Sequence, residues 1–268
     1  MIIEGLSEAE YARLDGIRAS WLKTLATSTP AHLRQQIDFP QPESDAFRLG
    51  RALHCRILTP DRFASAYTTM PKVDRRTKEG KEAYAKALDD AAGREILDEE
   101  AMRTVDGMAS AVLASSGAAE ALGIATSRET VMTAEIDGEP CKCRVDAFSM
   151  SGLLLDIKTT TSAAPRAFAR SVVDYGYLLQ MAFYRAVMIR NGIPLGKTVI
   201  IAVEKAAPFG VAVYEVSESD IDFAFRAVPS LVARYALCQR SGFWYGYPSD
   251  PQPLRMPEWY YTKEQDNE

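Results

Sequence analysis

The sequence predicts a mixed α/β domain in which helices pack against a central mixed β-sheet. Three observations carry this. Up to about residue 125 the chain is alanine-rich with helical apolar spacing and no sustained alternation. From residue 130 the pattern changes to strand-like runs joined by turn residues. Across the core the order is then helix, three strands, helix, two strands, helix.

Each element has a local reason. Residues 8–28 read as one or two short helices, with Ser20 a candidate N-cap ahead of Trp21, Leu22 and Leu25. Pro40 and Pro42 mark a loop. Ser44 or Asp45 caps a helix running to about Leu58, which Thr59-Pro60 ends. Residues 78–92 and 95–121 are helical and split near Gly93. Thr130–Ile136 is a strand, Asp137-Gly138-Glu139-Pro140 a turn, and Cys141–Phe148 the returning strand. After a turn at Ser149–Gly152, Leu153–Thr159 is a third strand whose three leucines predict burial on both faces. Pro165 suits the first turn of a long helix to about Arg190, which Asn191-Gly192 closes. Thr198–Val203 and Val211–Val216 are two more strands, and 219–240 is a last helix that Pro229 kinks. We read residues 1–268 as one domain: a helical part at about 1–125, a catalytic sheet with helices at about 126–240, and a tail at 241–268.

Composition excludes several classes. Apolar residues make up 47% and charged residues 25% of the 268, so the chain is neither disordered nor collagen-like. No apolar run approaches a membrane span, and the start lacks a signal-peptide layout. Four scattered cysteines make no disulfide framework, so the expected setting is reduced and cytoplasmic, with no membrane partner. The net charge of −5 argues by itself against a nucleic-acid partner. Yet residues 71–86 hold six basic against three acidic side chains, and 158–190 five against one. It is the local field that attracts a polyanion. Read without a partner, these are solvated helix faces.

Chemistry concentrates on the central strands. Asp156 and Lys158 are two apart on one strand and share a face, while the hairpin turn brings Asp146 close to Asp156. Two carboxylates and an ammonium on one sheet surface suit Mg²⁺ or Mn²⁺ acting on a phosphodiester. Spacing alone serves equally well for an exposed hairpin with a surface salt bridge. His54 follows Gly50 by one turn on the helix before the sheet, a face that can approach another backbone; alone it reads as a packed core histidine. Tyr177, Gln180 and Tyr184 share a face of the long helix and alone read as packing.

Taken together, Gly50-x-x-x-His54, Asp146, Asp156-x-Lys158 and Gln180-x-x-x-Tyr184 resemble the PD-(D/E)xK nuclease superfamily, and within it the RecE-like branch, the exonuclease VIII type of phages and prophages. The stretches 49–60, 75–81, 141–146 and 156–160 extend the resemblance to roughly residues 5–245. Val145 departs from it, standing where the family usually has proline. The resemblance implies that His54, Asp146, Asp156 and the Ile157 carbonyl bind Mg²⁺ or Mn²⁺, with Lys158 as the catalytic lysine. Glu129 matches an acidic position that holds a second metal or the substrate, or else is a surface glutamate. Gln180 and Tyr184 would position the scissile strand or the attacking water. Ser20 resembles a residue that helps hold the DNA-end phosphate in lambda-type exonucleases, and Arg75, Arg76, Lys78 and Lys81 would hold the 5′ end or the duplex backbone. With Cys238 alone after the motif, no iron–sulfur cluster is expected.

The implied activity is a Mg²⁺-dependent 5′→3′ exonuclease acting on linear double-stranded DNA and leaving 3′ single-stranded tails for recombination by strand annealing. The implied partners are double-stranded DNA ends, further copies in a ring-shaped trimer or tetramer, and a RecT-like single-strand annealing protein. The rivals are a non-catalytic DNA-end-binding or assembly module on a nuclease fold, and a related endonuclease or single-strand nuclease.

Overall fold

The computed structural model describes residues 1–70, 73, 74 and 76–256. The helical part opens with strand β1 (Ile2–Ile3) and helices α1 (Glu8–Arg13), α2 (Ala19–Thr27), α3 (Pro30–Asp38), α4 (Asp45–Leu58) and α5 (Pro60–Ala66). It continues through β2 (Tyr67–Thr69), α6 (Lys78–Ala91), β3 (Glu95–Leu97), α7 (Glu99–Ala114) and α8 (Ser116–Ile124). The sheet part comprises β4 (Ser127–Ile136), β5 (Glu139–Phe148), β6 (Leu154–Thr160), α9 (Pro165–Asp174), α10 (Tyr177–Arg190), β7 (Thr198–Glu204), β8 (Val211–Val216), α11 (Glu218–Phe225) and α12 (Ala227–Ser241).

Six strands form one sheet in the order β1-β4-β5-β6-β7-β8. Only β6 and β7 pair in parallel; the other neighbours are antiparallel. A parallel pair needs a crossover, and α9 with α10 supplies it. The three leucines at the start of β6, Leu153 just ahead of it and Leu154 and Leu155 within it, are buried on both faces as expected: Leu154 joins the core under α2, α10 and α12, and Leu153 and Leu155 join the core under α4, α7 and α8. Among the described residues no single helix is long and apolar enough to cross a membrane. The bent pair α7–α8, apolar enough by composition, buries Met108, Val112, Ala118 and Leu122 in the second core.

Several expectations need correction. Ser20 lies inside α2; Arg18 is its N-cap, without a side-chain cap bond. The long helix over 165–190 is two helices, because Gly176 takes a left-handed conformation (φ 61°) between Tyr175 and Tyr177. The last helix breaks at Arg226, and Pro229 sits in the first turn of α12, where its missing N–H costs nothing. Residues 95–97 are a short strand paired in parallel with β2 instead of the start of a helix. Helix α3 begins with Pro30 at its first position, a signal present in the sequence but not used there. The Ser44 cap, by contrast, is as expected: its side chain accepts from Phe47 N at 3.3 Å.

Candidate active site

The site exists because two neighbouring strands part. β5 and β6 pair only at Phe148–Leu154 and Ala147–Leu155. Beyond that, β6 stays bonded to β7 through Thr160 but β5 no longer reaches it. Ile157 is left with a backbone N–H and C=O pointing into the gap, and buried peptide groups must find partners. Two side chains supply them. Asp146 Oδ2 accepts the Ile157 N–H at 2.8 Å, and His54 Nε2 lies 2.9 Å from the Ile157 carbonyl oxygen. A carbonyl only accepts, so Nε2 carries the hydrogen and Nδ1 faces the other way. Nδ1 lies 3.4 Å from Asp146 Oδ1 and 3.9 Å from Glu129 Oε1.

Glu129 reaches this point by a backbone irregularity. In β4 it falls between the pairs Arg128–Ala147 and Thr130–Val145, opposite Asp146, and adopts φ 46°. A left-handed non-glycine residue within a strand is strained, about 1–2 kcal/mol. It therefore lies inside the strand and half-buried, not at a strand head on the surface.

On the side facing α10, Asp156 is 1% exposed along its side chain and pairs with the Lys158 ammonium at 2.5 Å. Gln180 donates to Asp156 Oδ1 at 3.1 Å and to the Tyr184 hydroxyl at 3.2 Å. Lys158 also lies 4.9 Å from the Tyr177 ring centroid. The shared face of Tyr177, Gln180 and Tyr184 is thus part of the site as well as of the packing.

Burial and charge set the protonation states. For His54, burial pulls the pKa down, but the Asp146 carboxylate and then Glu129 outweigh it and raise it to about 9. Burial and then the Asp146 charge lift Glu129 to about 7. Burial lifts Asp156 to about 6 against the opposing pull of Lys158. For Asp146 burial also acts upward, but the His54 and Lys158 charges hold it below its ordinary value. Lys158 is pulled down by burial and raised on balance by Asp156 and Asp146.

Do these residues fit a divalent cation? One nitrogen of His54 and one oxygen each of Glu129 and Asp146 lie within 4.8 Å of one another. An imidazole with carboxylates and open positions suits Mn²⁺ or Mg²⁺. Asp156 stands next to this trio, buried, with its Oδ2 paired to the Lys158 ammonium. The residues present fit. Asp156 and the Ile157 carbonyl stand beside the His54, Glu129 and Asp146 trio rather than within it.

The expected DNA-contact residues are dispersed. Ser20 is half-buried on α2, one turn before Lys23. Lys78 and Lys81 are exposed on α6, Lys78 4.0 Å from Glu82, and Arg76 is exposed just ahead of that helix. None of the hydrogen bonds or ion pairs among the described residues joins them to the trio. Arg75 lies outside the described residues. Gly50 is not needed for close approach, because an added methyl would meet Thr159 Oγ1 at an ordinary 3.8 Å. Cys141, Cys143 and Cys238 are buried and Cys55 is half-buried. Sequence reasoning missed Lys23, which points into the site from within the apolar run of α2.

Residues 19–250 match the family described as a PDDEXK-like domain of unknown function (DUF3799). No curated protein matches the chain by sequence. Among solved structures, the protein named "Putative exonuclease" from Eubacterium rectale superposes with a TM-score of 0.67 at 14% identity, covering 94% of this chain and 96% of its own. That likeness shows the fold. A phage related exonuclease from Haemophilus somnus 129PT has a TM-score of 0.35 at 12% identity, with 85% and 97% covered.

Proposed function

The chain belongs to the PDDEXK-like family and is a nuclease of that type; from this premise we propose that it is a Mg²⁺- or Mn²⁺-dependent exonuclease that digests linear double-stranded DNA from 5′ to 3′. The 3′ single-stranded tails it leaves would feed recombination by strand annealing in the cytoplasm. The observation that carries the reading is the parted β5–β6 gap, which gathers His54, Glu129 and Asp146 beside the Asp156–Lys158 pair.

The residues divide the work. When bound, a divalent cation supplies neutralising charge for the phosphodiester and a more acidic water. Asp146 fixes the Ile157 amide and orients His54, so that the nitrogen offered to a cation is Nδ1. Lys158 places a preorganised positive charge where negative charge develops on the phosphate. Gln180 ties down one oxygen of Asp156 and leaves the other facing Lys158. Tyr184, whose hydroxyl burial keeps protonated well above its usual range, holds Gln180 in place.

The reading extends to a ring-shaped trimer or tetramer around DNA, working with a RecT-like annealing protein. A ring eases the charge problem, because only its channel has to be positive. The deciding experiment digests a linear duplex labelled separately at its 5′ and 3′ ends, with Mg²⁺ and with EDTA, beside a closed circle. Mg²⁺-dependent early release of the 5′ label with the circle intact is the expected result. Early 3′ release overturns the polarity, and a cut circle overturns the exonuclease reading. End-binding without cleavage under any divalent metal would replace it with a binding module.

A further inference from the structure

Beside the Gln180 amide, the site carries a second ammonium. Lys23 reaches in from α2, half-buried, and its Nζ lies 5.8 Å from the centroid of the same Tyr177 ring that Lys158 approaches at 4.9 Å. Its single hydrogen-bond partner among the described residues is the neutral Oε1 of Gln180, at a long 3.5 Å. No carboxylate pairs with it among the described ion pairs. The other lysine of the pocket pairs with Asp156 at 2.5 Å. A sheltered ammonium without a counter-ion is costly.

The backbone is shaped to bring it there. At the α9–α10 break, Gly176 stands where a side chain would press on Lys23: an added Cβ would come within 3.1 Å of Lys23 Cδ and 3.3 Å of Cγ. The lysine stem therefore runs over a glycine to reach the Tyr177 ring and the Gln180 amide. A side chain held by a glycine groove, a ring and an amide, with its charge unbalanced, is prepared for an anion that binds later.

We propose that Lys23 is the phosphate grip of this site, donating to a non-bridging oxygen on the strand being cut. The inference rests on the nuclease reading and deepens it by naming a DNA contact outside the residues that the resemblance supplies. Burial and then the Lys158 charge lower the Lys23 pKa to about 8, against the opposing pull of Asp156. A bound phosphate would restore the balance. A purely structural lysine would instead be expected to contribute to folding through its contacts.

The test pairs Lys23→Met with Lys23→Arg in the full chain, reading DNA binding separately from cleavage. Binding of a short blunt 5′-phosphorylated duplex is measured in Ca²⁺ over a range of salt, cleavage of the same duplex in Mg²⁺. Losing one phosphate contact makes the log–log salt slope shallower by about one. Lys23→Met should show that change, with KM raised about tenfold or more and kcat changed less. Its melting temperature should hold or rise, because an unbalanced ammonium has been removed. Lys23→Arg should restore most of the slope and KM. An unchanged slope and KM, or a loss of activity that tracks a fall in melting temperature, overturns the proposal. Cleavage by the parent with no slope change in Lys23→Met refutes Lys23 alone. A slope change without any cleavage by the parent refutes the nuclease reading and leaves Lys23 as a phosphate contact of a binding module. A parent that neither binds nor cleaves refutes both.

Discussion

Titrating Mn²⁺ into the metal-free protein at about pH 7.5 should release about one proton, and that proton should come from His54. Its pKa of about 9 keeps the imidazole protonated in the absence of a cation, by about thirty to one at that pH. The imidazolium stands in for the cation that Asp146 and Glu129 await. Binding through Nδ1 must displace the proton, at about 2 kcal/mol near pH 7.5. The apparent dissociation constant should therefore rise about tenfold for each unit the pH falls from 9 towards 7. Below about 7 Glu129 also takes up a proton, and the dependence steepens towards two protons. Calorimetry in two buffers of different ionisation enthalpy counts the protons directly. Asp146→Asn supplies the control. It removes the charge that holds the imidazole protonated, so proton release should vanish and affinity fall by at least about a hundredfold. The same proton has a stability signature without metal. The His54 pKa is raised from 6.5 to about 9, so its contribution, about 3 kcal/mol, is full below 6.5 and lost as pH rises through 9. Mn²⁺ should flatten that alkaline decline. Binding that releases no proton at pH 7.5, or a dissociation constant independent of pH, refutes the assignment of His54 and its partners.

Three further outcomes follow from individual contacts. Lys158→Met should cut cleavage by about three orders of magnitude while circular dichroism shows the fold retained; full activity would remove Lys158 from the mechanism. Glu129→Gly relieves a left-handed backbone and removes a carboxylate whose pKa is raised to about 7. The metal-free protein should then melt a few degrees higher at about pH 8 while binding Mn²⁺ more weakly, and a lower melting temperature would refute the strain argument. Arg185, 1% exposed, donates to the Gly152 and Gly196 carbonyls and the Thr198 hydroxyl. Arg185→Met strands these acceptors at the far end of β6 from Lys158, so it should lower the melting temperature by about 10 °C, at about 3 kcal/mol, with DNA cleavage per folded molecule unchanged.

What the sequence carried was whatever has a local signature. Ser44 at an N-cap, the Asp137-Gly138 turn and the strand over Cys141–Phe148 all fall where their chemistry puts them, although that strand is buried on both faces instead of alternating. Asp156 and Lys158 share a face because a strand has a period of two, and Gln180 meets Tyr184 because a helix brings residues four apart together. The parting of β5 from β6 has no such signature. It is set by how two sheet neighbours diverge, and it converts Asp146 and His54 from a surface carboxylate and a core histidine into partners of one peptide unit. Glu129 was legible as an acidic residue near a strand, but its left-handed backbone was not, because nothing in Arg128-Glu129-Thr130 favours one. Lys23 lies between Leu22 and Leu25 in a run whose pattern says only that α2 is buried; its role is visible once Gly176 and Tyr177 are in place.

The costs coincide at one place in the fold. A strained glutamate, a buried carboxylate pushed up to about 6 and a sheltered ammonium with no ion-pair partner among the described residues all border one gap in the sheet. Each would lower stability by about 1–3 kcal/mol in a protein that only had to fold, and the imidazole held protonated to about 9 offsets part of that cost. Lys142 is buried too, but it caps the end of α1 through the carbonyls of Tyr11, Ala12 and Leu14. Arg185 likewise satisfies three acceptors at once. In the site the unbalanced groups are complementary in charge. His54 Nδ1, Glu129 and Asp146 offer ligand atoms to a cation, and Lys23 offers an ammonium to an anion. A phosphodiester carried with a divalent metal matches both, so the two features make more sense as halves of one substrate complex than as separate accidents of packing.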